Sequence, residues 1–301
     1  MEIEITRAVE LTPQQAHMLD LHSFLNILNV LEGELQLLGL GADDTQGVAP
    51  ALLVADTIKN SLTEGTLDRD WTKRLDQLER ITWACVNRLR EKHGELLSAP
   101  GAVESVGNIQ SVLRVLHVRA DEYIARQAGP QAWIPHSIAR LQDNFQNFLA
   151  AVERNSKGRY RIIFNIAAQE ERDYVVNLKI ESLHGDSIVM PPVMQDIFRD
   201  LIANARKYTR PGGVITAGLY EDDRQLHLVV EDNGVGIPPN ELEKVVEFGY
   251  RGSNVRHLPT KGAGFGLTKA YLLTKILGGR MWIRSVLEAG TRITIIIPKP
   301  G

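Results

Sequence analysis

One short segment carries three residues that together could hold a metal ion and a phosphate. In "DIFRDLIANARKYT", Asp200, Asn204 and Lys207 are spaced by four and three residues, so a helix would set them on one face. An amide oxygen one turn from a carboxylate, with an ammonium beyond, suits Mg²⁺ and a phosphoryl oxygen. A solvated helix face explains the same spacing, with Leu201, Ile202 and Ala205 packing inward. A second segment, "VVEDNGVGIPP", ends a β-rich run on Asp232, followed by Gly234 and Gly236. A carboxylate beside two glycines can accept a hydrogen bond from an exocyclic amine in a flat slot. The competing reading is a tight Asn-Gly hairpin, but the continuation "VGIPPNELEKV" leads toward a helix start instead of a paired strand. A third segment, "KGAGFGL", puts Gly262, Gly264 and Gly266 at alternate positions before a helix. Positive φ and successive N–H groups there suit a polyphosphate. Leu267 stands where the dinucleotide fingerprint needs its third glycine, and no Gly-Lys-Ser/Thr of a P-loop occurs.

A different chemistry is available near the start of the chain, in "HSFLNILNVLEGELQLLG". Leu21, Phe24, Leu28, Leu31, Leu35 and Leu38 alternate three- and four-residue steps, the seam of a coiled coil or antiparallel bundle. His22 falls one residue off that seam and shares a polar stripe with Asn26 and Asn29, so its imidazole is expected to be accessible. His17 falls on the seam and is read as a packed residue. No pair of the remaining histidines has metal-ligand spacing on one helix.

These groups need elements to position them. Up to about Gly129-Pro130 the period is helical, beginning with Thr12-Pro13 as N-cap and first helical position and breaking at Gly39 and Gly41. A shorter helix is expected after Pro50. Two longer stripes follow, one through Trp71, Leu75, Leu78, Thr82, Cys85 and Leu89, the other through Val103, Val106, Ile109, Leu113, Leu116, Ala120 and Tyr123. Residues 1–130 therefore read as an antiparallel helical bundle. Residues 131–301 begin with a helix carrying Leu141 and Phe145, then change to strand grammar in "RYRIIFNIA" and "YVVNLKIES". A helix is expected at 192–209, a strand pair in "GGVITAGLY" and "LHLVVED", and another helix near 239–246. The helix "FGLTKAYLLTKILGG" precedes a hairpin of "RMWIRSV" and "TRITIIIP". The fold class is α+β, with an α/β sandwich of helices on one face of a sheet.

Composition narrows the partners. A net charge of -3 gives no bulk electrostatic reason to expect nucleic acid or an acidic membrane. The single cysteine, Cys85, excludes an internal disulfide and suits a reducing cytoplasm. No apolar run reaches the ~18 residues that span a bilayer, and "MEIEIT" is no signal peptide, so a cytoplasmic location is expected.

The order and spacing of the three glycine- and asparagine-bearing segments, with "FGYRGSN" between the second and third, resemble the GHKL nucleotide-binding domain over residues 131–301. That superfamily includes histidine kinases, heat-shock chaperone ATPases, mismatch-repair ATPases and mitochondrial dehydrogenase kinases. The resemblance implies ATP with Mg²⁺ as cofactors. It assigns Asn204 to Mg²⁺, Asp232 to the adenine amino group, and Lys207 and Arg251 to the phosphates, with Tyr208 and Thr291 near the base. Gly262, Gly264, Phe265, Gly266 and Leu267 would form a lid whose N–H groups hold phosphate oxygens, and Gly234 and Gly236 would complete the adenine side. The helix from His22 is similar to the phosphoacceptor helix of the sporulation phosphotransferase and of citrate- and dicarboxylate-sensing kinases, at His22, Phe24, Asn26, Leu28 and Gly33. It departs at Ser23, where those proteins carry an acid; Asp200, acidic in several GHKL ATPases, could compensate by activating the nucleophile. The resemblance implies a soluble histidine kinase that phosphorylates His22 and passes the phosphoryl group to a response-regulator receiver domain. Two chains would pair their leucine seams as a homodimer. An ATP-driven conformational clamp and a serine kinase stay open as alternatives.

Overall fold

The computed structural model describes residues 2–64, 71–128, 132–154, 156, 158–257 and 264–300; the side chains of Asp20, His22, Ser23, Trp71, residues 121–128 and Ile166 lie outside that description. The chain divides into two compact units, Ala16–Ile124 and a second made of Met1–Gln15 with Ala125–Gly301.

The first unit is helical: α1 (Pro13–Gly41), α2 (Ala49–Thr63), α3 (Trp71–Lys92), the single turn α4 (Gly94–Leu97) and α5 (Pro100–Ala128). A reciprocal capping box opens α1, in which Gln15 N–H donates to Thr12 Oγ1 at 3.2 Å and Thr12 N–H to Gln15 Oε1 at 2.9 Å. All six seam residues of α1 are buried, with Leu28, Leu31, Leu35 and Leu38 at 0% exposure. They share one core with Ala51, Ala55, Ile58 and Leu62 of α2, Leu75, Leu78, Cys85, Val86 and Leu89 of α3, and Ile109, Leu113 and Leu116 of α5. Polar links tie the same helices: Lys59 Nζ to Glu32 Oε2 at 2.6 Å, Asn108 Nδ2 to Glu34 Oε1 at 3.2 Å, and His117 Nε2 with Glu79 Oε2 at 2.8 Å. The seam expected to pair two chains is therefore filled within one, because α2, α3 and α5 supply the apolar surface that a second copy would have offered. A second difference concerns α5. Val103 is 57% exposed and the buried face begins at Ala102 and Ser105, one position off the expected stripe. His17 is half-buried, its Nε2 3.0 Å from the Leu62 carbonyl.

The second unit is built on a mixed seven-stranded sheet ordered β1-β8-β9-β7-β6-β4-β3. Its strands are β1 (Glu2–Glu4), β3 (Ile162–Ile163), β4 (Tyr174–Ser182), β6 (Val214–Glu221), β7 (Gln225–Asp232), β8 (Arg280–Val286) and β9 (Gly290–Pro298); β2 (Ile134–Ser137) and β5 (Ser187–Met190) form a separate two-stranded ladder. Both expected hairpins form, β6 with β7 and β8 with β9. The sheet is mixed, as expected: the β3/β4 and β4/β6 pairs are parallel, the latter because the helix α7 (Val193–Tyr208) crosses between β4 and β6. Buried and more exposed positions alternate along β6 and β7. The buried set joins residues of α6 (Ile138–Arg154), α7 (Val193–Tyr208) and α8 (Gly266–Ile276) in one core. Residues 239–246, expected as a helix, are two short 3₁₀ turns, Pro239–Glu241 and Lys244–Val246, which fits the two prolines that open the segment.

The start of the chain, expected to belong to the bundle, instead supplies the strand Glu2–Glu4 to the sheet, and α1 follows only from Pro13. Glu2, Ile3 and Glu4 pair antiparallel with Arg284, Ile283 and Trp282 of β8, and Ile5 is fully buried in the core of this unit. The bundle is thus inserted in sequence between two parts of the sheet-bearing unit.

Candidate functional site

The helix α7 is amphipathic as the spacing requires. Leu201, Ile202 and Ala205 are buried, at 1%, 0% and 4% exposure, and Asp200, Asn204 and Lys207 stand half-buried on the remaining face. Lys207 Nζ lies 5.0 Å from the centroid of the Tyr208 ring. Burial pushes its ammonium down to about 8, and the nearby Arg251 and Arg206 guanidinium groups add to the shift. Arg251 donates from Nη2 to the Val255 carbonyl at 3.0 Å and also hydrogen-bonds the Tyr208 side chain, whose hydroxyl burial pushes upward. Three cations thus crowd the C-terminal end of α7, where a bound polyanion would relieve their mutual repulsion.

Asp232 ends β7 and sits opposite Thr291 of β9 in the ladder. Its Oδ1 accepts from the Gly234 N–H at 2.8 Å. Burial nevertheless pushes the carboxyl up to about 6, and the adjacent Glu231 charge raises it further against the lowering pull of the Gly234 and Thr291 N–H groups. The two glycines are required by close approach. A Cβ on Gly234 would lie 2.3 Å from the Tyr208 carbonyl oxygen, and one on Gly236, at φ +68°, would lie 2.2 Å from that of Val286. The Val235 N–H donates to Tyr208 O at 3.0 Å, and Asn233 Oδ1 accepts from Val214 N–H at 2.8 Å. "DNGVG" is therefore no hairpin turn but a strap that binds the end of β7 to the end of α7. Thr291 Oγ1 and Ser285 Oγ share a hydrogen bond of 2.8 Å, and Ser285 Oγ accepts from Ile237 N–H at 2.8 Å.

Gly262 lies outside the described residues. The described part of the third segment begins at Gly264, whose φ is +78° and whose Cβ, if present, would lie 2.7 Å from Tyr250 O. Gly266 opens α8 against α7: a Cβ there would lie 3.0 Å from Asn204 Nδ2 and 3.7 Å from Asp200 Cβ. Phe265 stacks on Phe248 at 4.4 Å between centroids, and Leu267 is partly buried against the core. Thr268 Oγ1 donates to Glu247 O at 2.9 Å and is 3.4 Å from Gly264 O. The N–H groups that start α8 are thereby set beside the Asn204 amide.

One cluster was missed by residue spacing. Lys269 Nζ lies 3.3 Å from Asp196 Oδ2 and 3.9 Å from Asp200 Oδ2, and Arg199 Nη1 lies 3.4 Å from Asp196 Oδ1. Lys269, Asp196 and Arg199 are 3%, 1% and 4% exposed, an ionic knot between α7 and α8. The available signal was Asp196 and Arg199 flanking the apolar pair Ile197-Phe198.

In the other unit, the backbone of His22 belongs to α1 directly after the buried Leu21, and its side chain lies outside the described residues, as does that of Ser23. Asn26, one turn on, is exposed. Among the described residues no group of three or more His, Cys, Asp or Glu could hold a metal ion, and no helix is long and apolar enough to cross a membrane.

Residues 191–301 match the family described as "Histidine kinase-, DNA gyrase B-, and HSP90-like ATPase". Sensor histidine kinase WalK of Bacillus subtilis is 29% identical over 137 residues, covering 45% of this chain and 22% of that protein. Aerobic respiration control sensor protein ArcB of Escherichia coli is 34% identical over 109 residues, 36% of this chain and 14% of that protein. Sensor protein SrrB of Staphylococcus aureus is 33% identical over 107 residues, 36% of this chain and 18% of that protein. The chain therefore spans less than a quarter of the length of these relatives. Among solved structures, the mycobacterial sensor histidine kinase MprB aligns with 56% of this chain and 97% of its own at 19% identity and a TM-score of 0.39. Full-length ShkA in complex with AMPPNP aligns with 96% of this chain and 46% of its own at 18% identity and a TM-score of 0.44.

Proposed function

We propose, taking residues 191–301 as a domain of the histidine kinase-like ATPase family, that this chain is a protein histidine kinase of two-component signalling. It would bind Mg·ATP in the sheet-bearing unit, phosphorylate His22 on α1, and pass the phosphoryl group to an aspartate of a receiver domain. The observation that carries the nucleotide reading is the meeting of Gly266 with Asn204, beside the cations Arg206, Lys207 and Arg251. Both glycine cradles, the depressed Lys207 ammonium and the raised Asp232 carboxyl fit a magnesium-bound adenosine triphosphate.

In this reading Asp232 accepts from the adenine amino group, Thr291 and Tyr208 line the base side, and Gly234 and Gly236 let the backbone approach it. Asn204 would hold Mg²⁺ through its amide oxygen, and the ion would neutralise phosphate charge. Lys207, Arg251 and the N–H groups of Gly264, Phe265, Gly266 and Leu267 hold phosphate oxygens. Gly262 belongs to the same segment. Asp200 orients or deprotonates the attacking imidazole. The bond from the γ-phosphorus to the bridging oxygen of ADP breaks as a bond to His22 Nε2 forms, and the imidazole proton leaves. Asn26, exposed one turn beyond His22, borders the acceptor.

Ser23 supports a second reading. A hydroxyl in place of an acid beside the histidine cannot serve as a base near neutral pH, which favours an ATP-driven clamp without phosphohistidine. Incubation with γ-labelled ATP separates the two. A histidine kinase yields protein-bound label that is stable in base, lost in acid and absent from His22→Ala; a clamp releases free phosphate alone. A His22→Ala protein that labels like the wild type refutes the acceptor assignment.

A further inference from the structure

The chain segment that leads into α1 is built into the sheet-bearing unit and ends against the residues that carry the Gly264–Gly266 turn. From β1 onward, Ile5 N–H donates to Met281 O at 2.9 Å and Ile5 is fully buried, with Ile3 and Val9 packed on the same core. Arg280 pairs with Glu4 and holds its carboxyl below the usual range. Two residues past the anchor, Arg7 makes two contacts. Its guanidinium ion-pairs with Glu247, and its carbonyl accepts from the Tyr271 hydroxyl at 2.7 Å.

Both partners belong to the phosphate side of the candidate site. Tyr271, 2% exposed, lies on α8 five residues after Gly266. Glu247 begins "EFGYRG": its carbonyl accepts from Thr268, Phe248 stacks on Phe265, and the backbone of Gly249 and Tyr250 abuts Gly264. The contacts run without interruption from Arg7 to both flanks of the turn. We propose that residues Glu2–Arg7 are a positioning element for phosphate binding: Ile5 anchors the segment, and Arg7 pins Glu247 and Tyr271 so that Gly264–Leu267 presents its N–H groups in one arrangement. The proposal rests on the nucleotide reading above for its function, and on geometry alone for the pinning. Arg7 acts through Glu247 and Tyr271. An exposed ion pair alone contributes little; here it works together with a buried hydroxyl donor and an anchored strand.

The test uses the full chain with Arg7→Ala combined with Tyr271→Phe, changes that leave the Ile5 anchor and the volume of the aromatic ring in place. Calorimetry with Mg·ATP and with adenosine, and amide hydrogen exchange of the nucleotide-free protein, are the readouts. Mg·ATP affinity is expected to fall about five- to tenfold, the size of one or two lost hydrogen bonds, with adenosine affinity within about twofold of wild type by the same reasoning. Amide exchange in 247–250 and 264–267 is expected to quicken. Equal losses for both ligands, or unchanged exchange in these two segments, overturn the proposal. Ile5→Val, a one-methylene change at the anchor, should move exchange in the same segments in the same direction; no movement there also overturns it. A wild type that binds neither ligand refutes the nucleotide reading, and the exchange readout then still decides whether Arg7 pins the turn.

Discussion

Replacing Asp232 by Asn should stabilise the nucleotide-free protein at neutral pH while weakening adenine recognition. The carboxyl is pushed up to about 6 by burial, against about 3.9 for an unperturbed aspartate. A raised carboxyl pKa means that folding favours the protonated form. Its stabilising contribution is complete below about pH 4 and is lost as pH rises through about 6. The two-unit difference corresponds to about 3 kcal/mol at most. Asparagine is isosteric and never ionises, but one of its atoms faces the Gly234 and Thr291 donors as NH₂, which costs about 1 kcal/mol. Asp232→Asn should therefore be less stable than wild type by about 1 kcal/mol at pH 4 and more stable by about 1–2 kcal/mol at pH 8. Urea unfolding of both proteins, followed across pH 4–8 by a probe in the sheet-bearing unit, measures the crossover. A stability difference that stays constant across that range, or an Asn variant that loses ground as pH rises, refutes the argument. Nucleotide binding should move the opposite way: an ionised acceptor is needed, so ATP affinity in the wild type climbs as pH passes upward through about 6.

Lys207, with its ammonium near 8, should give ATP binding a basic limb, and Lys207→Gln should remove the affinity loss between pH 7.5 and 9 seen by calorimetry. Lys269→Met takes one partner from the buried knot with Asp196 and leaves a carboxylate short of charge; it should cost about 3–5 kcal/mol in denaturant unfolding, and the double variant with Asp196→Leu should recover part of that loss. Leu31→Ala opens a cavity in the closed bundle core and should lower the stability of that unit by about 2–5 kcal/mol. Its unfolding midpoint should be independent of protein concentration, because the seam is filled by helices of the same chain.

The elements that were legible in the sequence are those held by local pattern. The α1 seam, the apolar stripe of α3, the amphipathic α7 and the two hairpins follow from periods of 3.6 and 2 within one short window. The candidate site was legible for a related reason. Asp232 with Gly234 and Gly236, and Gly264 with Gly266, are residue types demanded by close backbone approaches, and such demands show in composition. What escaped were pairings across long separations. A three-residue strand rich in glutamate carries no strand signal, and it is strand only because β8, some 280 residues later, offers an edge. The ionic knot of Asp196, Arg199 and Lys269 forms only when two helices far apart in sequence are laid together. Whether a leucine seam meets its own chain or a copy depends on partners that its spacing does not specify; here residues of α2, α3 and α5 bury the α1 seam.

The central claim is that the sheet-bearing unit grips a magnesium-bound adenosine triphosphate through Asn204 on one side and Asp232 on the other. Titration of the purified chain with ATP, with and without Mg²⁺, in parallel with Asn204→Ala, tests it directly. The account predicts saturable heat at one site per chain, strengthened by Mg²⁺ in the wild type and insensitive to Mg²⁺ in the variant. No heat at millimolar ATP, or an equal Mg²⁺ effect in both proteins, would contradict it.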